Sequence, residues 1–161
     1  MTTRRIVRAS LVAALYVVLT VAISPLSYGP VQFRVAEILK GLALFDPAFI
    51  MAFTIGNLLS NLTSPYVGPW ELIFMPLANL VGASLCWLLR RWPYVGAAVY
   101  AAVITLAVAT MLSFVVGVPW WTLAWSVGIS EVVLIVGGVP LMQRIWQAVE
   151  VRFEVGDGEA A

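Results

Sequence analysis

The chain has 161 residues, of which 62% are hydrophobic and only 11% are charged, and its formal net charge is +1. Soluble domains carry about 25% charged residues, so this composition, with a mean hydropathy of +0.99, predicts an integral membrane protein and argues against a nucleic-acid-binding role. The absence of histidine and the single cysteine, Cys86, remove the usual transition-metal sites and histidine-based catalytic sets. We therefore expect no metal, no cofactor and no enzymatic activity.

Apolar runs follow one another along the chain and are separated by loops that contain proline and glycine. These runs cover residues 4–24, 31–45, 47–62, 70–89, 94–116 and 120–142. The first run could also be a secretory signal peptide, but its apolar stretch is longer than a signal core, which favours a transmembrane helix. The second would be only ~22 Å long as an α-helix, against a hydrocarbon core of ~30 Å. It is therefore either a short span or one arm of a re-entrant hairpin.

The placement of basic residues tests this count, because cytoplasmic loops are enriched in Lys and Arg. With six crossings and a cytoplasmic N-terminus, all basic residues except Arg34 lie inside: Arg4, Arg5, Arg8, Lys40, Arg90, Arg91, Arg144 and Arg152. We therefore predict an all-α membrane protein with six transmembrane helices, a short second helix and both termini in the cytoplasm. Residues 1–150 form its single domain, and residues 151–161 form a charged, disordered tail.

A polar stretch at the start of the second helix is the first candidate for a binding site. It contains Gln32, Arg34 and Glu37 between two long apolar runs. Arg34 and Glu37 are three residues apart and would share one face of a helix. Charged groups within a membrane are costly unless they are paired or face a polar cavity. The stretch therefore predicts a site, and the alternative is an ion pair that only anchors the helix.

Further polar residues interrupt the later apolar runs: Asn57, Asn61, Glu71, Asn79 and Glu131. Amides and carboxylates together can read the hydrogen-bonding edge of a planar heterocycle. The alternative is that they form hydrogen bonds between helices and only hold the bundle together. In the predicted topology most intramembrane polar residues lie in the outer half, which favours a protein that captures a solute from outside. Asp46 is instead expected to cap the third helix, with Pro47 at its first position.

Aromatic and small residues add two weaker candidates. Most of the seven tryptophans are expected at the membrane interfaces, while Trp121 and Trp125 are candidates for stacking on a flat ligand. An interfacial position explains these two equally well. Ala9 and Ala13 on the first helix have the spacing that allows another helix to approach closely. On spacing alone, packing against another helix of the same chain explains this pair.

Three of these stretches together resemble a known family. Residues 28–39, Tyr-Gly-Pro-Val-Gln-Phe-Arg-Val-Ala-Glu-Ile-Leu, are followed by Gly56-Asn57 with Asn61, and by Gly68-Pro-Trp-Glu71. They resemble the QueT family of substrate-capture (S) components of energy-coupling factor transporters, which are associated with queuosine precursors. The resemblance covers residues 8–91, and the Gln-x-Arg-x-x-Glu core is its most specific part.

The resemblance implies a six-helix S-component bundle in the cell membrane that binds a deazaguanine, such as the aminomethyl form or queuine. It also implies that Ala9 and Ala13 meet a coupling transmembrane subunit, and that two ATPase subunits hydrolyse the ATP. The alternatives are an S component for a different vitamin-like molecule and a membrane scaffold protein.

A deazaguanine presents an amide N–H beside an exocyclic amine, and a carboxylate can accept from both. Glu37 or Glu71 suits this role, and the other carboxylate would bind an aminomethyl cation. Gln32 or an asparagine would donate to the ring carbonyl, and Arg34 is expected to orient Glu37.

Overall fold

The structure, a computed structural model, describes residues 3–28 and 33–158, with side chains through residue 150. Over these ranges the chain is helical and contains no strand. Its α-helices are α1 (Thr3–Ala22), α2 (Ser24–Ser27), α3 (Ala48–Asn61), α4 (Met75–Leu88), α5 (Pro93–Val116), α6 (Trp120–Glu131) and α7 (Val139–Gly158). A 3₁₀ helix, Val35–Leu44, precedes α3, and π-helical turns at Trp70–Phe74 and Val132–Val136 lead into α4 and α7.

Four helical stretches in the described part are long and apolar enough to cross a membrane: Thr3–Ala22, Trp70–Leu88, Pro93–Val116 and Trp120–Glu150. Ala48–Asn61 is apolar but shorter. The all-helical membrane architecture is confirmed, whereas the count of six crossings and the side of the termini stay predictions. The backbone of α7 continues past the predicted helix end at residue 142, and residues 159–161 of the predicted tail lie outside the described residues.

The second predicted segment is a 3₁₀ helix of 10 residues, not an α-helix. At ~2.0 Å per residue it is ~20 Å long, and every residue in it except Val35 and Ile38 is buried. It packs against α1, α3, α4, α5 and α7. Gly41 allows α7 to come close, because a Cβ there would lie 3.1 Å from Met142 Cγ. The segment is therefore a central element of the bundle and not a peripheral arm.

The longer helices surround this central segment in chain order. α1 packs on α3, α3 on α4, α4 on α5 and α5 on α6, as short connections between antiparallel neighbours favour. The apolar core between them is fully enclosed, and its largest members are Tyr16, Phe53, Tyr100, Ile104, Met111, Ile135 and Met142. The apolar residues that remain exposed lie on the outer helix faces, as expected for surfaces in contact with lipid.

Proline explains where the two π turns occur. Pro76 and Pro140 lack the N–H that would bond to the carbonyl group four residues earlier, so the regular α-helical pattern cannot continue through them. The helix widens just before each proline and closes with a hydrogen bond from residue i+5 to residue i. Such turns occur frequently at functional sites, and both lie next to a buried glutamate.

The Asp46 side chain binds the start of the third predicted helix as expected, although α3 begins at Ala48 and Pro47 precedes it. Its Oδ1 accepts a hydrogen bond of 2.9 Å from the Ala48 N–H at the start of α3. Its Oδ2 lies 3.3 Å from Arg5 Nε, so Asp46 also ties α1 to α3. Asp46 is thus a structural residue.

Gly82 sets how closely α5 can approach α4. A Cβ at Gly82 would lie 2.5 Å from Tyr100 Cδ2, and Tyr100 is fully buried. We therefore expect Gly82→Ala to displace the Tyr100 ring and destabilise the protein by about 1–3 kcal/mol, the usual cost of overpacking. Thermal unfolding of the purified protein measures this. Gly68→Ala is the matched control, because its nearest neighbour would be 3.8 Å away, and equal midpoints for the two variants would contradict the prediction.

Candidate functional site

Polar and charged side chains from four regions of the chain are buried together in the centre of the bundle. We call this set the buried polar cluster, and none of its members is more than 5% exposed: Arg34, Glu37, Lys40, Asn57, Asn61, Glu71, Asn79 and Glu131. Four regions contribute: the 3₁₀ helix with the residue before it, α3, α4 with the π turn that precedes it, and α6. Burying a charge is costly. A cluster of this many buried ionisable groups therefore predicts a functional role.

Most of the cluster surrounds one small cavity. Its polar lining consists of Arg34, Glu37, Lys40, Asn57, Asn79 and Glu131, and its apolar walls are Met75, Ile104 and Val108. The cavity volume is about 10 Å³, which is room for about one water molecule. Arg34, Glu37, Asn57, Asn79 and Glu131 thus face a common cavity and not lipid. Asn61 and Glu71 are buried as well but are not part of its lining.

Arg34 occupies the end of the cluster that is nearest to the loops. It precedes the 3₁₀ helix in an extended conformation. Its Nε donates to the Ser27 carbonyl at 3.3 Å and its Nη1 donates to Asn61 Oδ1 at 3.3 Å. Its Nη2 lies 3.9 Å from Glu71 Oε1, and its guanidinium group lies 4.9 Å from the centre of the Tyr28 ring. Arg34 therefore joins α2 to α3 and to the π turn before α4.

The two asparagines of α3 share one helix face, as their spacing predicted. Asn61 Nδ2 donates to Asn57 Oδ1 at 3.3 Å and to the Glu71 carbonyl oxygen at 2.9 Å. Asn79 of α4 donates to the Met75 carbonyl at 3.1 Å, and its Oδ1 accepts from the Tyr100 hydroxyl at 3.1 Å. These amides hold the helices together, and Asn57 and Asn79 also line the cavity.

Glu37 and Lys40 form a buried ion pair at the other end of the cluster. Side chains at i and i+3 eclipse one another in a 3₁₀ helix, which aligns these two residues along the segment. The Tyr16 hydroxyl donates to Glu37 Oε1 at 2.6 Å. Lys40 Nζ lies 5.1 Å from the centre of the Tyr100 ring and 6.0 Å from that of Tyr16, which are cation–π distances.

Two carboxylates in the cluster are left with unused hydrogen-bonding capacity. Both oxygens of Glu71 and Oε2 of Glu131 have no hydrogen-bond partner among the described residues. Glu71 lies within the first π turn, and Glu131 ends α6 where the second π turn begins. Buried polar groups without partners are rare in folded proteins, so these are the atoms best placed to bind a ligand.

The structure corrects three predictions for the site. Trp121 and Trp125 are 68% and 75% exposed, because they lie on the face of α6 opposite Leu123, Val127 and Glu131, and they do not reach the cavity. Trp125 instead lines an apolar groove of about 570 Å³ between α5 and α6, which offers almost nothing to a polar ligand.

Arg34 does not orient Glu37, because it precedes the helix and faces Glu71 and Asn61 instead. The predicted ligand residue Gln32 lies outside the described residues.

Lys40 is the member of the cluster that sequence reasoning missed. It was assigned to the cytoplasmic surface with the other basic residues, but its side chain is completely buried. The signal available in the sequence was its position three residues after Glu37. Tyr16, Tyr28 and Tyr100 were also missed, because a tyrosine in an apolar run gives no sign of which polar group its hydroxyl contacts.

Comparison with known proteins agrees with the resemblance. The family model described as the QueT transporter matches residues 6–147. The chain is also 46% identical over 83 residues to the queuosine precursor transporter QueT of Lactococcus lactis subsp. cremoris (strain MG1363). This alignment covers 50% of the chain and 47% of the relative, so the chain matches about half of that protein's length. No solved structure matches the chain.

We expect Lys40→Met to destabilise the protein strongly, because it leaves the Glu37 carboxylate buried without its cation. Breaking a buried ion pair costs about 3–5 kcal/mol, whereas removing both partners with Glu37→Gln as well should recover most of the loss. Thermal or denaturant unfolding of the purified variants measures this. Arg144→Met, at an exposed site on α7, is the control, and a Lys40→Met variant as stable as this control would contradict the prediction.

Proposed function

Because the chain belongs to the QueT transporter family, we propose that it is the substrate-capture (S) component of an energy-coupling factor importer and binds a queuosine precursor. The family is one of transporters and not of enzymes, and the chain is a multi-pass protein of the cell membrane. The relative from Lactococcus lactis is named a queuosine precursor transporter, which supports a deazaguanine, such as the aminomethyl form or queuine, as the ligand.

The buried carboxylate of Glu71, whose oxygens accept no hydrogen bond from the described residues, is the observation that carries this proposal. Two acceptor oxygens without hydrogen-bond partners among the described residues suit the two adjacent donors on the edge of a deazaguanine. Glu37 suits them less well, because Tyr16 occupies one of its oxygens and Lys40 the other. Arg34 Nη2 lies 3.9 Å from Glu71 Oε1 and supplies a positive charge next to this carboxylate.

The remaining residues of the cluster complete the recognition of the ring. Asn57 and Asn79 line the cavity and offer amide groups to the ring carbonyl, a role that we also propose for Gln32. Sites for small molecules have volumes of about 300–1,000 Å³, compared with about 10 Å³ for this cavity. Ligand entry therefore requires the helices and loops around the cluster to move apart.

The route of entry lies at the loop end of the bundle. An open pocket of about 380 Å³ is lined by Ser24, Pro25, Tyr28, Thr63, Ser64 and Pro65. Tyr28 belongs to this pocket and lies against Arg34, which belongs to the inner cavity. With six crossings and both termini in the cytoplasm, these loops face the exterior. Tyr28 and Arg34 then form the barrier between the exterior and the ligand site.

A groove between α1 and α3 supports the proposed contact with the coupling subunit. It has a volume of about 430 Å³ and is lined by small and apolar residues, among them Ala9, Ser10, Ala13, Ala14, Ala48 and Ala52. Small residues allow a helix of another subunit to approach closely within a membrane. We propose that this groove receives a helix of the coupling transmembrane subunit, and that two ATPase subunits supply the energy, so that this chain needs no ATP of its own.

We expect Glu71→Gln to weaken the binding of a deazaguanine by more than about tenfold, because an amide replaces one charged acceptor oxygen with a donor. Isothermal titration with the purified protein and the aminomethyl compound measures the dissociation constant. Glu150→Gln, at an exposed position of α7, is the control. An affinity within twofold of that of the unchanged protein would remove Glu71 from the site, and a failure of the unchanged protein to bind any deazaguanine would refute the proposed substrate.

We also expect Tyr28→Phe to accelerate both binding and release. The Tyr28 hydroxyl donates to the Ser60 carbonyl at 2.7 Å, and losing this bond weakens the barrier while the ring remains against Arg34. A net contribution of about 0.5–1.5 kcal/mol corresponds to rates that are about two- to tenfold faster. Stopped-flow tryptophan fluorescence measures the rates. Tyr94→Phe, at an exposed position, should change neither, and equal rates in both variants would argue against this route.

A further inference from the structure

The charges of the buried polar cluster do not balance. It contains two cations, Arg34 and Lys40, and three carboxylates, Glu37, Glu71 and Glu131. Arg34 faces Glu71 and Lys40 pairs with Glu37, so Glu131 remains without a cation of its own. The undescribed stretch next to Arg34, residues 29–32, contains no Lys or Arg that could supply the missing charge.

Glu131 is placed to receive a cation from inside the cavity. Its side chain lines the cavity and is only 3% exposed. Its Oε2 has no hydrogen-bond partner among the described residues. A buried carboxylate oxygen without a partner is costly in a cluster that holds more carboxylates than cations, and the cavity is the direction from which a partner can come. The other possible source of positive charge is a proton on Glu131 itself. An experiment must therefore distinguish a cation in the cavity from a proton on Glu131.

We propose that Glu131 is the counter-ion for an ammonium group on the ligand, so that the site selects a planar base that carries one positive charge. This inference rests on the proposed function, since it assumes that a deazaguanine occupies the cluster. Glu71 then accepts from the heterocyclic edge and Glu131 accepts from the ammonium group. Lys40 already forms an ion pair with Glu37, so Glu131 remains available for the ammonium group.

Two ligands that differ only in this charge provide the test. The purified full chain is titrated with 7-aminomethyl-7-deazaguanine, which is a cation, and with 7-cyano-7-deazaguanine, which is neutral. We expect the cation to bind at least about tenfold more tightly, because a hydrogen bond to a charged partner is worth about that factor. Glu131→Gln should abolish this preference by weakening the binding of the cation and leaving that of the nitrile within about twofold.

Two further variants keep the result interpretable. Glu131→Asp retains the charge and should preserve part of the preference, which separates the loss of the carboxylate from a general defect in folding. Glu150→Gln, at an exposed position, should leave both affinities unchanged.

Distinct results contradict the inference and the function on which it rests. If both compounds bind the unchanged protein equally, or if Glu131→Gln weakens both to the same extent, Glu131 is a protonated or structural residue and the counter-ion role is overturned while the substrate stands. If neither compound binds, the proposed function fails, and the inference fails with it.

Discussion

The ion pair between Lys40 and Glu37 is the contact on which the arrangement of the bundle depends. Both side chains are almost completely buried, and they lie on a 3₁₀ helix that touches nearly every other long helix. Tyr16 of α1 donates to the carboxylate, and the Tyr100 ring of α5 lies against the ammonium group. A buried pair with these additional partners is costly to break. It therefore fixes both the position of the 3₁₀ helix and the distance between α1 and α5.

The two π turns provide the second constraint, because they place carboxylates where a regular helix would not. One extra residue in a turn rotates the following side chains by about 100° relative to an uninterrupted helix of 3.6 residues per turn. Glu71 and Glu131 lie at these irregularities, each close to a proline that prevents the regular pattern. The helices can thus keep an apolar outer face and still direct a carboxylate inwards.

Hydrophobicity was sufficient to predict most of the fold. Each apolar run contains a helix, and Asn57 and Asn61 share a face because their spacing in an α-helix requires it. The 3₁₀ helix could not be predicted in the same way. The spacing of Arg34 and Glu37 was interpreted as that of one α-helix, whereas Arg34 precedes the 3₁₀ helix. Lys40 was misplaced because counting basic residues by side of the membrane does not detect burial. Trp121 and Trp125 were misassigned because stacking on a ligand and contact with lipid require the same residue type.

The contacts within the cluster differ in strength from one end to the other, and this difference determines how the site can open. Arg34 holds the loop end through contacts of 3.3, 3.3 and 3.9 Å, which are long for charge-assisted hydrogen bonds. At the opposite end, Glu37 is held by a 2.6 Å bond from Tyr16 and by its ion pair with Lys40. Separating the loop end therefore costs less than disrupting the 3₁₀ helix. In the proposed function, a ligand that binds Glu71 and Asn61 in place of Arg34 would offset that cost. The contacts within the cluster are thus weaker next to the loops than around Lys40, which is the asymmetry that the proposed entry from the loop end requires.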